Sequence, residues 1–213
     1  MPRVEPFRQH TDRYEAWFET FEAAYESEIA ALRAVGPDPE HGLEIGVGTG
    51  RFAGPLGYQY GVDPVPEMLG EAVDRGVTAV LGVAEALPFR DRSFDSALLV
   101  TTICFVEDLQ GTFEEAARVL RPGGWLVIGY IDRESRVGRH YQESKDENPF
   151  YRNATFVSTD EVLELLARTG FEEVGLRQTI FSMPDEMEEP DPVREGYGDG
   201  SFVALAARVG NGS

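Results

Sequence analysis

The run Leu43-Glu-Ile-Gly-Val-Gly-Thr-Gly50 places three glycines at alternate positions directly after a short apolar stretch. Glycine tolerates positive φ and carries no Cβ, so such a turn lets the backbone come close to a ligand. Dinucleotide enzymes use a similar turn with the spacing G-x-G-x-x-G. Counted from Gly46, the third glycine of that fingerprint falls on Arg51; counted from Gly48, it falls on Ala53. Glu44, inside the strand end, suits a cationic amine better than a pyrophosphate. Further along, Gly61-Val-Asp-Pro64 supplies a carboxylate within about 20 residues of the glycines, where a ribose diol would donate two hydrogen bonds. Alone, Asp63 would read as a turn opener or a helix cap. In register after the glycine turn, the ribose role is the better reading.

These residues need strands and helices to position them, and the pattern supplies them. Residues 11–20 and 21–35 read as helical, the second with Tyr25, Ile29, Leu32 and Val35 at helical spacing, and Gly36-Pro-Asp-Pro39 ends them. Strands follow at 42–47, 58–62, 77–82, 93–101 and 125–131, with helices expected from about Gly50, over 65–74 and over 112–120. The stretch 93–101 is apolar enough to be buried on both faces. Strands alternating with helices imply βαβ units and a mostly parallel sheet, in which ligands sit beyond the carboxyl ends of the strands at the switch point. Ser158-Thr-Asp-Glu161 is a capping box opening another helix that Gly170 closes. Two final strands, 172–181 and 201–209, flank an acidic, proline-containing loop over 184–195 and are expected to be antiparallel. The expected fold is therefore α/β: a Rossmann-like, doubly wound, mostly parallel seven-stranded sheet with an antiparallel C-terminal strand, plus N-terminal helices. One domain is expected, with a helical cap (1–40), a core (42–131), an insertion (132–157) and a C-terminal helix with strands (158–213).

Two more motifs stand in order within that core: Gly82-Val-Ala-Glu-Ala-Leu-Pro-Phe89 continued by Arg90-Asp-Arg-Ser-Phe-Asp95, and Arg118-Val-Leu-Arg-Pro-Gly-Gly-Trp-Leu-Val-Ile128. The last reads as a helix end, a tight turn and a buried strand, and is expected to be structural. Together the four motifs, over about Gly42 to Gly129, resemble the class I S-adenosylmethionine-dependent methyltransferases of the UbiE-like, type 11 family. The segments Tyr14-Glu-Ala-Trp-Phe18, Tyr25-Glu-Ser-Glu28 and Gly196-Tyr-Gly-Asp-Gly-Ser-Phe-Val203 resemble a small-metabolite branch found in archaea and thermophilic bacteria.

The resemblance implies S-adenosylmethionine as cofactor and assigns roles. Glu44 would face the methionine amino group, over a floor of Gly46, Gly48 and Gly50. Asp63 would hold the ribose hydroxyls, with Pro64 and Met68 packed near the adenine. Ala84 and Glu85 would contact the adenine edges, and Thr101 and Thr102 would line the sulfonium side. Two departures stand out. The family usually carries an Asp where this chain has Val83, and many relatives carry a histidine pair where it has Ile103-Cys-Phe-Val106. A histidine base copied from those relatives is not available.

Composition narrows the partners. The net charge is −19, with 38 acidic and 19 basic residues, and Lys145 is the only lysine. Such charge opposes binding to a nucleic-acid backbone, and no basic tract or arginine stripe offsets it. Acid-rich, lysine-poor composition also resembles proteins of a salt-rich cytoplasm, a halophilic adaptation in which dense salt screens self-repulsion. No apolar run approaches the ~20 residues that span a bilayer, and Met1–His10 holds no signal-peptide core, so a cytoplasmic protein without a membrane partner is expected. The sole cysteine, Cys104, is read as a buried, inert thiol, and His10, His41 and His140 lack metal-ligand spacing.

Methyl transfer from a sulfonium is an in-line displacement, and orientation alone can contribute ~7–11 kcal/mol. A general base is required only where the acceptor must lose a proton. Tyr14, Glu107, Tyr130, Asp132 and Tyr141 lie near the expected pocket, and no spacing singles one out, so the catalytic residues stay open. Trp17 and Phe18 read as helix-packing residues. The acceptor is expected to be a small molecule, its reacting atom and the oligomeric state unassigned. The alternatives are a non-catalytic S-adenosylmethionine-binding regulatory or assembly protein and, less favoured because of Arg51, an NAD-type oxidoreductase.

Overall fold

The computed structural model describes residues 4–210; the first three residues of the polar N-terminal stretch lie outside it. Three helices open the chain: α1 (Glu5–Gln9), α2 (Thr11–Thr20) and α3 (Glu22–Val35). Then β1 (Gly42–Ile45), α4 (Ala53–Leu56), β2 (Tyr60–Asp63), α5 (Pro66–Asp74), β3 (Thr78–Leu81), β4 (Phe94–Val100), α6 (Leu109–Val119) and β5 (Leu120–Ile131) build the parallel half. The remainder is α7 (Arg136–Glu143), α8 (Thr159–Arg168), β6 (Phe171–Thr179), β7 (Arg194–Glu195) and β8 (Phe202–Val209).

The strands form one sheet in the order β3-β2-β1-β4-β5-β8-β6-β7. Pairings among β1 to β5 are parallel, whereas β8 runs antiparallel to both β5 and β6. The sheet thus has the seven expected strands and one more. The eighth is the two-residue β7, which pairs with the edge of β6 from within the acidic loop. A two-residue pairing has no alternating pattern to betray it.

Alternation along the strands feeds two cores. Ala97 and Leu99 of β4, Leu126 and Ile128 of β5 and Leu205 of β8 join Phe113 of α6 and Leu166 of α8 on one face. Leu98, Val100, Val127 and Ala206 join Leu32 of α3, Phe52 and Phe18 on the other. Strand β4 is therefore buried on both sides, as its composition requires.

Local rules explain several boundaries. Asp108 caps α6, its Oδ1 accepting the Gly111 N–H at 3.0 Å. The Ser158–Glu161 capping box is complete in both directions, and Gly170 after α8 takes φ +85°. One expectation contracts: the helix after the glycine turn begins only at Ala53 and spans four residues. The insertion contains α7. No helix among the described residues is long and apolar enough to cross a membrane.

Candidate active site

The strand order reverses between β1 and β4, and the loops leaving those strands hold the site. After β1, Gly46, Gly48 and Gly50 take φ of +77°, +51° and +82°. The Gly46 and Val47 N–H groups both reach the Val62 carbonyl, at 2.8 and 3.1 Å, which bends the turn over the end of β2. A Cβ on Gly46 would run into the Thr102 side chain, 2.6 Å from Cγ2; one on Gly48 would approach Met68 Cε and the Tyr14 hydroxyl. Gly50 does something else. Its α-carbon faces Ala72 of α5, where a Cβ would lie 3.1 Å from backbone, so this glycine lets helix and turn pack closely.

Asp63, nearly buried, ends β2. Its Oδ2 accepts the Gly48 N–H at 2.8 Å and its Oδ1 the Val65 N–H at 2.9 Å. Burial nonetheless pushes its carboxyl up to about 6. Each oxygen keeps acceptor capacity for a further donor. Glu44 is buried at 1% exposure; the Ala53 N–H is its backbone partner, and its Oε2 has no hydrogen-bond partner. Burial, and secondarily the Asp63 charge, hold its carboxyl well above the ordinary range. An unpaired buried carboxylate oxygen is costly unless a ligand donor meets it.

A small cavity of about 80 Å³ is walled by Gly46, Gly48, Asp63, Pro64, Met68, Val83, Ala84, Glu85, Thr101 and Thr102. Of the residues singled out from the sequence, Glu44 and Gly50 lie outside that wall. The Glu85 carboxylate turns toward the loop after β4, where Oε1 accepts the Glu107 N–H at 2.8 Å. Thr101 holds φ +50°, a costly setting for a β-branched residue; its N–H is bonded to the Gly129 carbonyl at 2.7 Å.

Beyond Thr101 opens a cavity of about 540 Å³. Its walls are largely aromatic: Trp17, Phe18, Phe21, Tyr141, Phe150, Tyr151 and Phe156, with Glu28 among them. Phe7, Tyr14, Thr101 and Phe105 border both cavities. Phe7, on the unforeseen α1, packs edge-on to Phe105 with centroids 4.9 Å apart and lies 5.1 Å from Phe150. Phe18 packs as expected, buried against Tyr14, Tyr25 and Phe52, and it also faces the cavity, as does Trp17.

The N-terminal helices are fastened over the site by charge. Glu15 Oε2 accepts from Arg51 Nε at 2.9 Å, from Arg51 Nη2 at 2.6 Å and from Arg75 Nη2 at 2.6 Å. Arg75 also donates to the Thr49 carbonyl at 2.8 Å, and the Tyr25 hydroxyl to that of Arg51. One carboxylate thus joins α2 to both the glycine turn and the end of α5.

Among the side chains considered as bases, Tyr130 and Asp132 are committed elsewhere. The Tyr130 hydroxyl donates to Thr159 Oγ1 at 2.9 Å, while Asp132 accepts from the Thr159 and Glu134 N–H groups. Glu107 is exposed. Cys104 is a correction: it is half-buried rather than buried, lines the larger cavity, and its Sγ lies 3.3 Å from the Thr101 carbonyl. Among the described residues no cluster of three potential metal ligands exists.

Residues 43–128 match the family model for a methyltransferase domain. Across 97% of its length the chain is 46% identical to an S-adenosylmethionine-dependent methyltransferase of Thermotoga maritima, described as a possible histamine N-methyltransferase. The two structures superpose with a TM-score of 0.94 over 99% of that protein. The chain belongs to the S-adenosylmethionine-dependent methyltransferases.

This methyltransferase is also 44% identical to an uncharacterized protein of Methanocaldococcus jannaschii, over 94% of this chain and 97% of that one. It shares its fold, at TM-score 0.69 and 16% identity, with a phosphoethanolamine N-methyltransferase of Haemonchus contortus, over 98% of this chain and 59% of that one. S-Adenosylmethionine is its methyl donor. The residues present fit that group: an unpaired buried oxygen on Glu44, a fixed carboxylate on Asp63 and glycines where a Cβ would intrude. Sequence reasoning missed Phe7 and Glu28. A single phenylalanine in a polar stretch and one glutamate on an acidic helix carry no local sign of facing a cavity.

Proposed function

We propose that the methyltransferase transfers the methyl group to a small-molecule acceptor bound in the larger cavity, with the glycine turn and the smaller cavity holding the cofactor. The observation that carries this reading is the shared border: Phe7, Tyr14, Thr101 and Phe105 belong to both cavities, so donor and acceptor sites abut. A cavity of about 540 Å³ is of a size for a small ligand, and an acidic surface disfavours a nucleic acid. The Thermotoga maritima relative's description as a possible histamine N-methyltransferase also favours a small acceptor.

In this reading Glu44 takes the methionine ammonium through Oε2, Asp63 accepts the ribose hydroxyls, Pro64 and Met68 pack on the adenine, and Ala84 and Glu85 meet its edge. Gly46 and Gly48 keep the floor open, while Gly50 serves indirectly by packing the turn on α5. Thr101 and Thr102 border the sulfonium. Bound there, S-adenosylmethionine supplies an activated methyl group with a neutral thioether as leaving group. The protein's part is orientation and exclusion of water, which the aromatic walls and the fastened helices favour. The insertion 132–157 serves the acceptor side through Tyr141, Phe150 and Tyr151.

The test is calorimetric titration with S-adenosylhomocysteine and with NADH, followed by a screen for S-adenosylhomocysteine formation with small acceptors. Micromolar binding of the first alone, with turnover on at least one acceptor, is expected. Binding without turnover on any acceptor would favour a regulatory or assembly role.

A further inference from the structure

We infer that the acceptor is an amine that binds as its ammonium ion beside Glu28 inside the aromatic walls of the larger cavity; the nitrogen passes one proton to the Glu28 carboxylate, and the lone pair so freed is what takes the methyl group. This rests on the reading of that cavity as the acceptor site.

Glu28 is 3% exposed, on the face of α3 turned inward, and its side chain lines the cavity. Among the described residues no hydrogen bond or ion pair reaches its carboxylate, in contrast to Asp63 and Asp132, whose oxygens are met by donors. A carboxyl buried on a cavity wall with no protein donor is free to meet a ligand, and a perturbed ionisable group in such a place is a candidate for binding or catalysis. Burial pushes its carboxyl up to about 8, so in the free protein it holds a proton near neutrality. A cation arriving beside it supplies the missing partner.

The walls favour the same chemistry. Tyr141 and Tyr151 stack with centroids 4.5 Å apart, and Trp17, Phe18 and Phe21 present further rings. Aromatic faces attract ammonium groups, the more so where water is excluded. The Arg13 guanidinium, on the border of the cavity, is exposed and makes no ion pair with Glu28, while Asp185 adds a negative charge on the same border. An ammonium beside Glu28 favours the ionised carboxylate and pairs with it in charge, which neither a neutral nor an anionic acceptor does.

The experiment uses the full chain saturated with S-adenosylhomocysteine, titrated with benzylamine, 2-phenylethylamine and tryptamine and with the alcohols of the same skeletons. In the unaltered protein at least one amine should bind about tenfold or more tighter than its alcohol. Glu28→Gln should remove that advantage and leave alcohol binding unchanged. Tyr141→Ala reads the cavity separately: weakened binding of amines and alcohols alike upholds the cavity as the acceptor site, whatever the amines alone do. Amines no tighter than alcohols, or an amine preference that survives Glu28→Gln, would overturn the proposal and spare the cavity reading. A loss of S-adenosylhomocysteine affinity in Glu28→Gln would assign this carboxylate to the cofactor and overturn it too. The comparison within the unaltered protein holds even if the variant folds poorly.

Discussion

The main-chain N–H of Gly48 donates to Oδ2 of Asp63 at 2.8 Å, so the turn after β1 sets the orientation of the carboxylate that ends β2. With Val65 holding the other oxygen, the side chain is fixed before any ligand arrives. A fixed acceptor loses less freedom on binding than a mobile one.

Asp63→Ala should weaken S-adenosylhomocysteine binding by ~1–3 kcal/mol, the scale of hydrogen bonds to a charged group. The ionised form accepts the ribose hydroxyls, and its carboxyl sits at about 6, so affinity should also fall as pH drops from 7.5 to 5. Calorimetry at both pH values checks each point; undiminished affinity in a folded Asp63→Ala protein would remove the ribose role.

Gly46→Ala should lower stability by ~1–3 kcal/mol, because it combines positive φ with a collision against Thr102. Gly54→Ala is the control. It lies in α4 with nothing within 4 Å of a new Cβ and should stabilise by ~0.4–1 kcal/mol. Urea unfolding of both variants gives the comparison.

Glu15→Ala should cost ~1–3 kcal/mol, since it leaves Arg51 and Arg75 facing each other without their common partner. Limited proteolysis should then cut near α2 before the core. Equal resistance in both proteins would show that the ion pairs do not fasten the helices.

Glu28→Gln should change the pH dependence of folding. The carboxyl ionises near 4.5 when unfolded and at about 8 when folded, so between these values the folded state retains a proton that the unfolded state has released. Stability from this site is therefore full below about 4.5 and declines as pH rises to about 8. The groups acting on or acted on by Glu28 are the phenols of Tyr14, Tyr25, Tyr141 and Tyr151, all held above their ordinary range and neutral throughout. Relative to the unaltered protein, the variant should gain of order 2–4 kcal/mol between pH 5 and pH 8. Denaturant midpoints at the two pH values measure it.

Net charge of −19 should make stability depend on salt. The melting temperature is expected to rise from dilute buffer to molar KCl, and equal values would refute a salt adaptation.

Much of this architecture was legible because it is written locally. Strand β4 shows its double burial in the apolar run 97–100, and Ser158 and Glu161 announce α8 through two side chains three residues apart. The motif residues of the smaller cavity come from four consecutive loops, so order along the chain predicts their neighbourhood. What escaped was decided at long range. Gly50 resembles its two neighbours, and only the approach of Ala72 distinguishes its task. Glu28 shares helix α3 with two other glutamates, and only the assembled fold shows that it is the one facing the larger cavity. Cys104 sits in an apolar run, yet the cavity beside it leaves the thiol half-open.

Phe7 and Tyr14 border two sites yet belong to one short pair of helices, α1 and α2. Whatever occupies either cavity therefore lies against the same two short helices, so a change of side chain at Phe7 or Tyr14 alters the walls of both pockets at once.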